Sequence, residues 1–271
     1  MWLPLLLKIT LAPALVATAT WVSRRVGHGA AGMVSGLPVV AAPIVLVFSV
    51  EDGNRFAQGA ADGAVLGIAS LVAFCVVYAL TASRRGTLVA LLAGWGAFGL
   101  GTLMLSSVHP PLAMSVLFTL LAIAAGVAIL RGRASAVEAG SRRSDLLPWR
   151  LLITVVMVLA LTAAAQGLSP HLAGLLTPFP IITAVMAAFT HSRAGAPAAS
   201  AMLFGLTFAL LSFLVFFATL GALLGQTDPV VAYGCAVAGM FAAWALLAWF
   251  ASSGGLRLVG AVAATPELRP R

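Results

Sequence analysis

The sequence predicts an all-α, polytopic integral membrane protein of about nine transmembrane helices, arranged as two inverted four-helix repeats joined by one linking helix. Three observations carry that reading. The 271 residues are 62% hydrophobic and 8% charged, with a mean hydropathy of +1.10, which excludes an ordinary water-soluble domain. The apolar residues fall in runs long enough to cross a bilayer, separated by short polar joints. Finally, the chain matches itself at a constant offset of 142 residues.

Allowing about twenty apolar residues per crossing, the runs place spans at 2–22, 31–50, 56–80, 87–106, 112–130, 149–168, 171–190, 198–223 and 230–250. The start of the chain, through Trp2 and Leu5, lacks a basic leader and a small-residue cleavage site, so it reads as a retained first span. The polar stretch Arg131 to Pro148 suits a mobile connector. Basic residues in short loops stay cytoplasmic, and here they sort onto one face. Arg24, Arg25, Arg84, Arg85, Arg131, Arg133, Arg142, Arg143, Arg150, Arg193, Arg257, Arg269 and Arg271 share a side, while Arg55 lies opposite and Lys8 lies inside the first span. This predicts an N-terminus outside (periplasmic) and a C-terminus inside. The formal charge of +8 therefore serves orientation rather than nucleic-acid binding.

At the offset of 142, Gly32 meets Gly174, Pro38 meets Pro180, Gly53 meets Gly195, Gly63 meets Gly205, Ser70 meets Ser212 and Phe74 meets Phe216. The implied organisation is a first four-helix repeat at 1–110, a linking helix and cytoplasmic loop at 111–148, a second repeat at 149–252 and a cytoplasmic tail at 253–271. One extra crossing between the units turns the second upside down relative to the first.

Two apolar runs are interrupted by prolines. Gly174 to Pro180 reads GLLTPFP, and Gly32 to Pro38 reads GMVSGLP with Pro43 beyond it. Proline deletes an amide donor and collides with the preceding turn, so both spans should break there. Paired breaks in two halves point to a transporter's central site, with Ser35, Pro38, Pro43, Thr177, Pro178 and Pro180 shaping a substrate site. The bland alternative is a pair of packed kinks. Asp62 is the acidic residue placed within a span; a carboxylate there is costly and usually faces a partner or a watery path, so it is the candidate for ion coupling. It lies beside the small-residue stripe Gly59, Gly63, Gly67, and its counterpart in the second half is Phe204. Pairing with Lys8 is its structural alternative. Lys8 and Arg150 snorkel most simply toward headgroups, and Gln58, Ser70, Thr183 and Ser212 bond most simply to helix backbone.

No metal, cofactor or enzyme pattern emerges. His28, His109, His171 and His191 lack ligand spacing, Cys75 and Cys235 sit in apolar runs, and the glycines of Gly94 to Gly101 lie inside a span with no strand before them. Trp2, Trp21 and Trp149 fit an interfacial belt.

The stretch AGLLTPFPIIT, Ala173 to Thr183, followed by FGLTFALLSFLVFF, Phe204 to Phe217, resembles the GlpM family of small four-span bacterial inner-membrane proteins. The resemblance covers the second repeat, and the first through AGMVSGLP and Gly63 to Ser70. It implies a bacterial inner-membrane location and a link to envelope polysaccharide production. This chain departs from the family in carrying two copies plus a linking span, like a fused pair. Together these features predict a secondary transporter of a small organic solute or envelope precursor, working by alternating access and coupled to a proton or cation. The alternative is a non-transporting accessory or scaffold subunit of an envelope-biosynthesis complex. The expected partners are the lipid bilayer and a small-molecule substrate; a homodimer and a membrane-complex partner are both compatible.

Overall fold

A computed structural model describes residues 32–33, 45–46, 48–49, 52–133 and 167–252. Six helices account for most of them: α1 (Asn54–Ala82), α2 (Thr87–Leu105), α3 (Leu112–Arg131), the short α4 (Pro170–Leu176), α5 (Ile181–Leu223) and α6 (Pro229–Ser252). No strand occurs among the described residues. Five stretches are long and apolar enough to cross a membrane, namely α1, α2, α3, Pro170–Leu223 and most of α6. In hydrocarbon every backbone amide and carbonyl must be bonded within the protein, which apolar chains achieve by forming helices. The chain is a multi-pass membrane protein.

The helices lie where the apolar runs put spans 56–80, 87–106, 112–130 and 230–250. Spans 2–22 and 149–168, most of 31–50, the connector and the tail lie outside the described residues. The joints are made by local chemistry. Ser83 Oγ donates to Leu80 O at 2.9 Å and closes α1. Ser106 Oγ donates to Leu103 O at 2.7 Å and closes α2. Asp228 Oδ1 accepts from Val230 N at 2.8 Å and opens α6.

Pro170–Leu223 spans 54 residues, about 80 Å if it were one rod and far more than a bilayer holds. Two breaks shorten it. At Thr177 to Pro180 the helix stops because two prolines supply no amide, and tight bonds from Thr177 N to Gly174 O and from Phe179 N to Leu176 O, both 2.9 Å, close the end. At Gly195 the backbone takes φ 84° and ψ 173°, a conformation open essentially to glycine. There the chain reverses: Thr190 Oγ1 reaches Met202 Sδ at 3.8 Å, whereas twelve residues of unbroken helix would separate them by about 18 Å. Segments 181–194 and 196–223 are thus two arms of a hairpin. Gly53, just before α1, adopts nearly the same backbone, φ 88° and ψ 165°.

α1 and the two arms of α5 form the buried centre, with Phe74, Tyr78, Phe204, Phe216 and Phe217 all sealed from solvent. Contacts fix the directions. α4 and the first arm run parallel to α1, since Gly59 meets Pro170, Gly67 meets Pro178 and Tyr78 meets His191. The second arm runs antiparallel to it, since Asp62 meets Gly221 and Gln58 meets Gly225. α2 lies antiparallel along α1 through Gly94 against Phe74 and Gly101 against Ser70. α3 lies parallel to it, with Thr119 Oγ1 donating to Val65 O at 2.8 Å and Gly126 against Val72. Large apolar side chains on α2, α3 and α6, among them Leu103, Met104, Leu121, Val230 and Trp249, are exposed, as suits a hydrocarbon solvent.

Two glycines let backbones touch. A Cβ at Gly174 would collide with Ala60 O, and a Cβ at Gly32 would collide with Met202 O. Gly174→Leu should therefore destabilise the protein by about 1–3 kcal/mol, read as a lowered unfolding temperature in detergent. Gly96→Ala, whose added methyl meets no described atom, should leave that temperature unchanged.

Candidate functional site

Asp62 sits two turns into α1, about 12 Å from its start. Its carboxylate has one oxygen, Oδ1, buried against Gly221 with no hydrogen-bond partner among the described residues. One turn back toward the start of α1, Gln58 Nε2 donates to Gly221 O at 3.0 Å and ties α1 to the second arm of α5. The rest of the Asp62 side chain lines a cavity of about 340 Å³, whose wall also includes Leu66, His109, Ser115, Pro170 and His171. The joint between α2 and α3 supplies His109, and α4 supplies His171. Their rings stack with centroids 4.2 Å apart and planes inclined by 36°. His171 Nε2 lies 3.2 Å from Leu105 O. A carbonyl only accepts, so this nitrogen carries the hydrogen and donates.

The cavity lies toward the end of the bundle that holds Asp52, Arg55 and Asp228. Arg84, Arg85, Arg131, Arg133 and Arg193 gather at the other end, because α1, α3 and the first arm all finish there. Toward that arginine-rich end the Tyr78 hydroxyl lies 3.4 Å from His191 Nδ1, with the rings edge to face at 6.0 Å. Tyr78 is fully buried beneath this contact.

The proline break lies elsewhere. Pro178 and Pro180 are buried. Pro178 Cγ packs over Gly67, where an added Cβ would lie 2.7 Å from it and 2.6 Å from Leu175 O. Thr177 Oγ1 donates to Ala173 O at 2.8 Å, so its hydroxyl serves its own helix. Phe179 stacks edge to face on Phe98 of α2 at 5.2 Å. Neither Thr177 nor either proline lines the Asp62 cavity. Ser35, Pro38 and Pro43, together with Lys8 and Arg150, lie outside the described residues.

The stripe Gly59, Gly63, Gly67 does what its spacing implies and receives α4 at backbone distance. Thr183 is buried, and Ser212 Oγ donates to Ala209 O at 2.7 Å. Ser70 Oγ is buried beside Gly101 with no partner among the described residues. The sequence signal for the cavity was weak: His109 and His171 stand 62 positions apart, and only the shared outer placement of their joints linked them. Ser115 and Pro170 carried no signal. Among the described residues no group of three His, Cys, Asp or Glu side chains is placed to hold a metal.

Gln58 makes the polar tie beneath Asp62. Gln58→Leu should cost about 0.6–1.7 kcal/mol, the range found for hydrogen bonds between membrane helices, measured as lost thermal stability in detergent.

No family model, characterised protein or solved structure matches this chain.

Proposed function

We infer that the protein is a secondary transporter built from two inverted units, with Asp62 taking the coupling proton or cation and alternating access arising from one unit moving against the other. The observation that carries this reading is an exchange of contacts. Gly32 meets the carbonyl of Met202, and Gly174 meets the carbonyl of Ala60. Gly174 lies 142 positions after Gly32, and Met202 lies 142 positions after Ala60. Each unit in this reading presents to the other the contact it receives, which a two-fold relation would require. Gly53 and Gly195, separated by the same offset, share their unusual backbone.

The antiparallel packing of α1 on the second arm of α5 supports the inverted sense. From the pair Asp62 and Gly221, eight steps in opposite directions bring Ser70 level with Phe213. The equivalent residues Ser70 and Ser212 therefore cross near the middle of both helices, and both are fully buried. An axis relating two antiparallel helices is perpendicular to both, so for spanning helices it lies in the membrane plane. A cavity toward one end of the bundle, with the buried Tyr78 set against His191 toward the other, is compatible with one state of an alternating cycle. The arginine-rich end is the cytoplasmic one in this reading, and the inner membrane is the location that the GlpM resemblance suggests.

In proteoliposomes carrying an imposed proton or cation gradient, Asp62→Asn should reduce gradient-driven solute accumulation at least tenfold while the variant elutes and melts like the parent. Undiminished accumulation with unchanged gradient dependence would remove Asp62 from the coupling role. A stably co-purifying membrane partner, with no solute moved in either direction, would favour an accessory subunit of an envelope-biosynthesis complex instead.

A further inference from the structure

We propose that the Asp62 cavity binds a small protonated amine, an alkyl- or arylalkylammonium ion whose positive nitrogen sits at the carboxylate and whose apolar body lies against Leu66, Pro110 and Pro170. This rests on the transporter reading and names its substrate class. Three features of the cavity converge on that chemistry.

The first is charge. Asp62 Oδ1 is sealed against Gly221 without a hydrogen-bond partner among the described residues. A carboxylate removed from water must either take up a proton or receive a cation. Among the described residues no Lys or Arg lines the cavity, so a positive group that enters would supply the compensating charge. A net negative cavity also repels phosphorylated or carboxylated solutes, which sets anionic envelope precursors aside.

The second is the balance of donors and acceptors. His171 spends its Nε2 hydrogen on Leu105 O, which leaves Nδ1 of the neutral ring as an acceptor. Ser115 Oγ donates to Pro111 O at 3.4 Å and keeps its lone pairs. Beside the carboxylate the described wall thus offers further acceptors, which suit an ammonium group with its several N–H bonds. A bare alkali ion would need about six oxygens to replace its water, more than the described residues of the wall supply.

The third is size and surface. About 340 Å³ falls at the small end of ligand pockets, and most of the wall is apolar or aromatic, with the stacked His109 and His171 rings at its lip. An inorganic cation would leave that surface wet, whereas an alkyl or benzyl group covers it. One carboxylate holds one positive charge, so proton and ammonium exclude each other there. Exchange of one for the other across the membrane follows without a second site.

The test uses purified full-length protein in detergent and a panel of ethylamine, n-butylamine and benzylamine, each set against the alcohol of the same carbon skeleton. The amines should raise the unfolding temperature in a saturable way, since ligands of the native state stabilise it, and the alcohols should not. Asp62→Asn should weaken amine binding at least tenfold. The parent protein supplies a second readout independent of any variant: dicyclohexylcarbodiimide modification of Asp62, followed by peptide mass spectrometry, should be slowed by the amines and not by the alcohols. Equal effects of amines and alcohols, or an Asp62→Asn protein that binds amines as the parent does, would overturn the proposal. Amine binding at Asp62 with no solute moved in proteoliposomes would sustain the site and defeat the transporter reading. Transport of uncharged or anionic solutes without amine binding would do the reverse.

Discussion

Everything in this bundle depends on backbones that touch. Within hydrocarbon, burying an apolar side chain gains little over leaving it in lipid, so helices associate through close van der Waals packing and a few hydrogen bonds between them. Gly59, Gly63 and Gly67 clear one face of α1 so that α4 can lie in it, and Gly174 returns the favour by admitting Ala60 O. That fit decides where the proline break goes. Pro178 fills the depression over Gly67, and the break is locked by packing against α1 and by Phe98 of α2. It also decides where the cavity goes, because α4 seated at this height carries His171 up beside Leu105 and His109.

The helices were legible because each is one apolar run bounded by its own stop signals. Ser83, Ser106, Pro111 and Asp228 act within a turn of where they stand, and a local cause leaves a local trace. The hairpin at Gly195 was legible for the same reason, since the basic residue Arg193 and a glycine before Pro197 interrupt the run. Lateral neighbours leave no such trace. The sequence assigned Thr177, Pro178 and Pro180 to a substrate site at a proline break and Asp62 to ion coupling within the same bundle. The fold separates them: Thr177 turns its hydroxyl to Ala173 O, Pro178 packs, and Asp62 faces a cavity one or two turns nearer the start of α1. Its actual neighbours, His109 and His171, belong to a loop and a short helix whose apposition is set by how α2 and α4 flank α1. No periodicity within either segment encodes that.

The offset of 142 has a different standing, since it relates residues that need not touch. A duplicated unit could sit anywhere beside its copy. The contacts of Gly32 and Gly174 constrain it far more, because they trade partners at the same offset. The central crossing at Ser70 and Ser212 is a further constraint. Ser212 satisfies its hydroxyl on its own helix, while Ser70 lies against Gly101 of α2 without a partner. In the two-unit reading, matched positions thus carry side chains in different circumstances, so that one unit could differ from the other without disturbing the fit between them.

That difference is greatest at the cavity. In the two-unit reading, the residues matching Gly59, Asp62 and Leu66 are Ala201, Phe204 and Phe208. Both phenylalanines are buried, at 2% and 8% exposure. Where the end near the start of α1 offers a carboxylate and empty volume, the arginine-rich end offers aromatic bulk. A positive group held at Asp62 would therefore meet no second counter-charge at the matching inner position. Passage to that side means separation from its only fixed partner, and water or a proton must compensate each charge in turn. A symmetric pair of carboxylates would instead bind the cation on both sides and hold it there. In the transporter reading, phenylalanine standing where the other unit has aspartate would give the path a binding end and a releasing end, while the glycine contacts at Gly32 and Gly174 stay the same.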